Sequence, residues 1–427
     1  MACGIENGEG RDTGWRSLST FNAARHPALP VLNLTLACNH CDTPVCALGC
    51  PADAYHRDPQ SAAVILDGSK CIGCHYCSWL CPYDAPKFDE DEGVMSKCTF
   101  CSPRLAAGGE PACTQACPTG ALSLGSRLPG EPEPDLAGLG RFGLGPALSI
   151  TPPRARIPVD AAEDDEPPPS PSLPPRKIDV GREWALLLFT TIMPALVAWL
   201  GAGLLVPAHS PGAFAFVTLG GAALVLSTLH LGKPLRAWRA VLNVRTSWLS
   251  REIVFANLFL LLGAVWLSFP RFGVAVGWAA FACGVALAWS IDHVYRAIPR
   301  DEPMPFHSAE TMLGVVLLFG IAAGARIVAW PAAALIVALF VFRKASAATR
   351  TPDEWVFAFA RIALLVTAVI ILRWPEAFAM GVASFALDRL DFYDELEPTT
   401  PLRRMARRMV ISTPAKAAPS VVRRSIL

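Results

Sequence analysis

Two patterns of apolar and polar positions divide the 427-residue chain. In the first, apolar residues come in short runs between polar, Gly- and Pro-containing turns. Val64-Ile65-Leu66 before Asp67-Gly68 predicts a short strand closed by a turn, and Ala121-Leu122-Ser123-Leu124 predicts a similar strand. Residues 152–180 show no period; Glu163-Asp164-Asp165-Glu166 and the prolines through Pro175 predict a semi-extended, solvated linker. From Trp184 onward the apolar runs are long. They predict spans at 184–206, 213–229, 253–269, 273–291, 307–325, 328–342, 355–372 and 374–388. Crossing hydrocarbon takes about 20 residues, so the sixth and eighth are short. The expected organisation is a head at 1–151, the linker at 152–180, an all-helical polytopic membrane domain of about eight spans at 181–390, and a basic tail at 391–427.

Thirteen of the 14 cysteines fall in residues 1–117, mostly in three runs. These are Cys38-x2-Cys41-x4-Cys46-x3-Cys50-Pro51, Cys71-x2-Cys74-x2-Cys77-x3-Cys81-Pro82 and Cys98-x2-Cys101-x11-Cys113-x3-Cys117-Pro118. The second has bacterial-type [4Fe–4S] spacing and the others are longer versions of it, which predicts a poly-[4Fe–4S] ferredoxin-like α+β head. Structural zinc uses Cys-x2-Cys pairs but does not call for three Cys-x3-Cys-Pro endings. Disulfides suit small secreted chains, and residues 1–30 lack the apolar core of a secretory signal. In such runs the fourth cysteine ligates the other cluster. One cubane is therefore expected on Cys38, Cys41, Cys46 and Cys81, another on Cys71, Cys74, Cys77 and Cys50. Cys98, Cys101 and Cys113 form a third half-site, whose fourth ligand is either Cys117 or the N-terminal Cys3. Tyr83, Phe88 and Phe100, next to ligating cysteines, are read as core residues that keep water from the clusters.

The cysteine block resembles the iron–sulfur subunits of the dimethyl sulfoxide reductase group, which carry four runs and four clusters. In that family the opening run ends in Ala-Cys, a few polar residues and a Trp-Arg segment, like Ala2-Cys3 and Trp15-Arg16. The resemblance implies that Cys3 completes the site of Cys98, Cys101 and Cys113. Cys117 then belongs to a fourth cluster in a longer native chain, or stays unused beside three clusters; the longer chain is the expectation. Leu229-His230-Leu231-Gly232-Lys233-Pro234-Leu235-Arg236-Ala237-Trp238-Arg239-Ala240, continuing through Glu252, resembles the signature loop of the membrane anchors of the same group. That likeness implies a quinone site near the last cluster, no haem, and a separate molybdenum subunit with a bis-molybdopterin guanine dinucleotide cofactor. The residues themselves suit a quinone: His230 can donate a hydrogen bond and titrates near neutrality, Arg236, Arg239, Arg245, Arg251 and Glu252 crowd the same interface, and Trp238 suits its amphipathic character. His293, His307 and Glu310 form a weaker second set. All eight histidines lie in the head, in loops or at span ends, so haem ligation is not expected.

The net charge of +1 decides nothing, but its distribution does. Arg176, Lys177, Arg182, Lys233, Arg236, Arg239, Arg245, Arg251, Arg296, Arg300, Arg343, Lys344, Arg350 and the tail arginines share the predicted side of the head; Arg271, Arg326 and Arg373 lie opposite. The positive-inside rule predicts a multi-pass inner-membrane protein with a cytoplasmic head, in contact with membrane lipid and not with nucleic acid. The expected function is non-catalytic: electron transfer through the clusters between quinone and the molybdenum subunit, from sulfite oxidation to quinone. The alternative direction is from quinol to a dimethyl sulfoxide or polysulfide reductase; a passive anchor or redox sensor is a reading of another class.

Overall fold

The computed structural model describes residues 2–8, 14–21, 32–126, 140–150, 176–300, 307–345, 352–371 and 373–411. Helix α1 (Ala2–Asn7) opens the head and is followed by an antiparallel hairpin, β1 (Ser17–Phe21) with β2 (Leu32–Leu36), Ser17 opposite Leu36. The cysteine region then repeats one unit. A run leads into a short helix, α2 (Val45–Leu48), and Cys50-Pro51 ends it before the hairpin of β3 (Tyr55–Arg57) and β4 (Val64–Leu66). The second run enters α3 (Tyr76–Leu80), and Cys81-Pro82 ends it before the hairpin of β5 (Lys87–Asp89) and β6 (Val94–Ser96). The third run carries α4 (Ser102–Ala106) and α5 (Ala112–Gln115). Proline after the last cysteine cannot continue the helix, so the chain turns there each time. The expected strand at 64–66 is β4, whereas residues 121–124 are irregular. Among the described residues no strand pairs with them, and the Leu122 N–H bonds the Cys117 sulfur at 3.4 Å instead.

The membrane half is a helical bundle of α6 (Trp184–Leu205), α7 (Ala213–Leu229), α8 (Trp248–Ser268), α9 (Val274–Arg296), α10 (Thr311–Ala322), α11 (Arg326–Ala345), α12 (Pro352–Ile371) and α13 (Glu376–Glu395). Eight helices match the eight apolar runs, but not eight clear spans. Among the described residues only α6, α8, α9 and α11 are long and apolar enough; α7 makes a fifth if joined to the 3-10 helix Pro234–Val241, from which it is bent by 107°. Twelve residues of α10 rise about 18 Å, short of the hydrocarbon thickness. Helix α12 carries Arg361, and α13 carries Asp388, Arg389 and Asp391, groups that hydropathy penalises. The sixth run, expected at 328–342, extends to 326–345. Glycines let the helices close: an added Cβ at Gly263 would meet the Phe216 ring and one at Gly284 the Val197 side chain.

Arg361, Asp388 and Asp391 are paired. Asp388 accepts from Arg361 at 2.6 Å and from Ser308 at 2.9 Å, while Arg343 contacts Asp391 at 2.5 Å. Lys344 bridges Asp391 and Glu395 at 2.9 and 2.7 Å. Removing one partner strands the other, so Asp388→Ala is expected to cost about 3–5 kcal/mol, read as a lowered thermal midpoint in detergent.

Two expected boundaries differ. Residues 152–175 of the linker lie outside the described residues, but 176–180 are anchored: Ile178 is buried with Tyr76 and Trp79, and Lys177 Nζ pairs with Asp84 at 2.6 Å. In the tail, α13 runs to Glu395 and α14 (Pro401–Ile411) follows; Met405 of α14 packs on Leu34 and Leu36 of β2. Arg404 lies over the Phe142 ring at 4.6 Å. This part of the tail is folded onto the head because its apolar face meets the exposed side of a two-stranded hairpin. Residues 412–427 lie outside the described residues.

Candidate functional site

The cysteine thiols fall into three sets. Burial, then the neighbouring thiols of Cys81, Cys38 and Cys41, pushes the Cys46 thiol well above its ordinary range. Cys38, Cys41, Cys46 and Cys81 also line one cavity, closed by Pro82, Tyr83 and Leu144. Burial, then Cys74, Cys50 and Cys71, does the same to Cys77. Burial alone is the main reason that Cys50 is pushed up to about 11. The third set is looser: Cys98 is raised by burial and also feels Cys38 and Cys3. Helix α1 reaches this set through the Arg104–Glu6 ion pair at 2.7 Å, and Asn7 Nδ2 lies 3.7 Å from the Cys3 sulfur. Cys117 stands apart. Its sulfur accepts from Leu122 N–H, and this bond together with Thr119 lowers its thiol below the ordinary range.

This donor set fits iron–sulfur clusters. Crowded buried thiolates repel each other unless a cation takes up their charge. Backbone N–H groups already aim at the sulfurs: His40 at Cys38 (3.5 Å), Ala54 at Cys50 (3.4 Å), Gly73 and Met95 at Cys71 (3.4 and 3.5 Å), Phe100 at Cys98 (3.3 Å). Such bonds tune cluster potential. Among the described residues no three His, Cys, Asp or Glu converge as the ligands of a single ion do. Four thiols spread around a cavity suit a cubane, where each binds its own iron.

Two head residues escaped the sequence reading. Lys97 is buried, with Nζ 3.5 Å from the Cys38 sulfur and 3.0 Å from the Cys98 carbonyl; it also donates to Val64 O. A fixed cation thus sits between the first and third sets. His40, between Cys38 and Cys41, is held neutral, pushed down to about 3 by burial and the Lys97 charge; its Nδ1 accepts from Val64 N–H at 3.1 Å. Spacing could not reveal either, because a lone Lys or His beside a cysteine is common. Of the expected shielding rings, Tyr83 packs with Cys81, Phe88 lies 4.1 Å from the His75 ring and Phe100 5.1 Å from His40.

The second thiol set is seated on the bundle. Arg236 Nη1 donates to the carbonyls of Gly68 (3.0 Å) and Cys71 (3.1 Å), and Arg239 Nη1 to Ser69 (3.1 Å). Gly232 and Lys233 N–H groups bond Gly73 and Ile72 at 3.2 and 3.1 Å. Asn243 Nδ2 reaches the Cys50 carbonyl at 2.9 Å, Ser247 Oγ the Gly49 carbonyl at 2.8 Å, and Tyr76 OH the Val294 carbonyl at 2.9 Å. Leu231, Ala240 and Ile253 share one apolar cluster with Cys50, Cys71 and Cys77.

The expected quinone residues are thereby sorted. Arg236 and Arg239 are engaged in docking. Arg251 bonds the carbonyls of Val244 (2.9 Å) and Arg245 (2.6 Å) and stacks on Trp248 at 4.3 Å, while Trp238 is exposed under Arg239 at 5.2 Å. His230, at the C-terminal end of α7, keeps an enclosed Nδ1 without a partner and lies beside His75. Glu252 is buried where it feels Arg389, and Tyr76 and Tyr295 feel it in turn. In the weaker set, His293 stacks between Trp248 and Trp289, at 4.2 and 4.5 Å. Glu310 pairs with Arg296 at 2.8 Å.

Comparison with known proteins falls in the same two parts. Residues 31–127 match the 4Fe-4S dicluster domain family, and residues 209–375 match the DMSO reductase anchor subunit (DmsC) family. An anaerobic dimethyl sulfoxide reductase chain of Escherichia coli is 40% identical over 104 residues, 24% of this chain and 50% of that one. A sulfite dehydrogenase subunit of Allochromatium vinosum is 37% identical over 125 residues, 27% and 52% of the two chains. A tetrathionate reductase subunit of Salmonella typhimurium is 36% identical over 127 residues, 29% and 50%. The chain spans about half the length of these relatives. It joins, in one polypeptide, an iron–sulfur segment similar to these reductase subunits and a membrane segment similar to the reductase anchor.

Proposed function

We propose that this chain is a non-catalytic subunit that carries electrons from quinol in the inner membrane to a molybdenum-containing partner with a bis-molybdopterin guanine dinucleotide cofactor. The carrying observation is the seating of the Cys50 and Cys71–Cys77 loops directly on the bundle. Cubanes supply one-electron carriage when bound. Cys71, Cys74, Cys77 and Cys50 hold the one beside the bundle; Cys38, Cys41, Cys46 and Cys81 hold the next; Cys98, Cys101, Cys113 and Cys3 hold the outermost. Quinol oxidation yields quinone, two electrons and two protons. His230 and Glu252 flank the seated loop and take the protons, while Arg236 and Arg239 fix its distance. The basic side shared with the head supports a cytoplasmic head.

Names of reductases among the relatives favour the quinol-oxidising direction over the sulfite-oxidising direction expected from a cytoplasmic head and the family resemblance. The sulfite dehydrogenase relative keeps that second direction under test. Membranes containing the chain are mixed anaerobically with a short-chain quinol and followed by low-temperature EPR. Reduced-cluster signals support the reading; no signal on quinol addition sinks it, and signals that appear only with sulfite reverse the direction. His230→Ala is expected to slow quinol-driven reduction about 10²-fold with iron content unchanged; undiminished reduction would remove His230 from the site.

A further inference from the structure

A polar cavity of about 250 Å³ lies in the bundle, lined by residues of α9 and α13 and of the segment between α9 and α10. The end of α9, the start of α10 and the end of α13 wall it, with Tyr295, Arg300, Glu310, Arg389 and Phe392 at its surface. Arg389 is 1% exposed, and its Nη1 donates to the Ala309 carbonyl at 3.2 Å. Its Nε and Nη2 are enclosed without an acceptor, and so is Arg300 Nε. Its face is covered by the rings of Phe392, Tyr295 and Tyr393 at 4.9, 5.1 and 5.4 Å. Buried donors of this kind are satisfied by ligand or ordered water.

The wall favours water. Two carboxylates, Asp292 and Glu310, stand in it and oppose a phosphate. Asp292 accepts the N–H groups of Thr311 and Met312 at 2.7 and 3.0 Å, so it is held in place at the start of α10. Arg296 and Arg300 share the rim with Glu310, whose side chain is 17% exposed, which makes the mouth too charged for a quinone ring. The volume holds several waters, each with polar partners in reach. Arg389 and Tyr295, which line it, feel the charge of the buried Glu252, which stands behind the lining. At its outer end Glu310 meets the side of the bundle that carries the head.

We propose that a water chain in this cavity is the proton outlet of the quinol site, running from Glu252 past Arg389 and Tyr295 to Glu310. The inference rests on the quinol reading above. Each quinol releases two electrons, which leave singly toward the Cys71–Cys77 loop, and two protons, which pass from Glu252 through the waters to Glu310 and the head-side solution. Arg389 and Tyr295 orient the waters; their groups neither gain nor lose protons. The outlet thus returns protons to the side from which the head takes electrons away, and no proton crosses the membrane. Arg389 and Phe392 lie beyond residue 375, outside the stretch that matches the anchor family.

The test uses the full chain in proteoliposomes with the head outward, decylubiquinol as donor and external ferricyanide, a one-electron acceptor reduced twice per quinol, as the oxidant. A membrane-impermeant pH dye reads proton release. Two protons per quinol are expected outside. Glu310→Gln is expected to lower the maximal rate at least about tenfold without changing the half-saturating quinol concentration, and formate is expected to restore it. Glu310→Asp keeps the rate. Arg296→Gln breaks the Glu310 ion pair but keeps the carboxylate, and is expected to keep the rate as well. Protons appearing inside the vesicles, or wild-type rates in both Glu310→Gln and Glu310→Ala, overturn the outlet. A raised half-saturating quinol concentration in Glu310→Gln overturns it in favour of a ring-binding cavity. No quinol oxidation by the unaltered chain overturns the quinol reading instead.

Discussion

Cys3→Ser is expected to remove one cubane, about four iron atoms per chain, together with its EPR signal and most electron delivery to an outside acceptor. The argument is geometric. Helix α1 is held against the third cysteine set by Arg104–Glu6, and Cys98 feels the Cys3 thiol. Cys117, close in sequence to Cys113 and just past the end of α5, turns its sulfur to Thr119 and Leu122. Cys117→Ser is therefore expected to leave iron and EPR signals unchanged. Iron analysis on the two variants, purified in parallel, decides between them; the reverse pattern would reassign the fourth ligand to Cys117. Because the third set is outermost, quinol should still reduce the inner clusters of Cys3→Ser.

Gly232→Val is expected to lift the head from the bundle and slow quinol-driven cluster reduction about 10²-fold, while dithionite still reduces every cluster. A Cβ at Gly232 would run into the Gly93 carbonyl, with Gly93 C at 2.8 Å and Phe88 Cζ at 3.0 Å. The opposing wall is itself tight. Gly73 has φ +70°, and a Cβ there would meet Gly232 N at 2.8 Å. Backbone faces backbone, so no flexible side chain can swing aside; overpacking of this kind costs about 1–3 kcal/mol or more. The hydrogen bonds from Gly232 and Lys233 to Gly73 and Ile72 would lengthen first. Stopped-flow reduction by quinol and by dithionite, on the same preparation, separates a lost connection from a lost cluster. Equal rates in wild type and variant with quinol would show that this contact does not set the electron path.

Both outcomes bear on what could be read from residues alone. The cysteine spacing raised the expectation of crossed pairing, because a Cys-x2-Cys-x2-Cys loop and a distant Cys-Pro have few ways to surround a cubane. The long apolar runs determined a helical membrane half, since only helices satisfy a backbone in hydrocarbon. Local spacing also located the β4 strand and the end of α7 at His230.

Tertiary structure decided the rest. Hydropathy counts residues and cannot see partners, so it could not show that charges of α12 and α13 are neutralised across helices by Arg361–Asp388 and Arg343–Asp391. Nothing local distinguishes an arginine that meets a quinone from one that holds a carbonyl of a cysteine loop; Arg236 and Arg239 became docking residues only when residues 68–71 were brought to them from more than 160 positions away. Lys97, the buried Arg389 and the cavity it lines were silent for the same reason. Their meaning lies in which donors are left without acceptors once the chain has folded, and that depends on every neighbour at once rather than on sequence order.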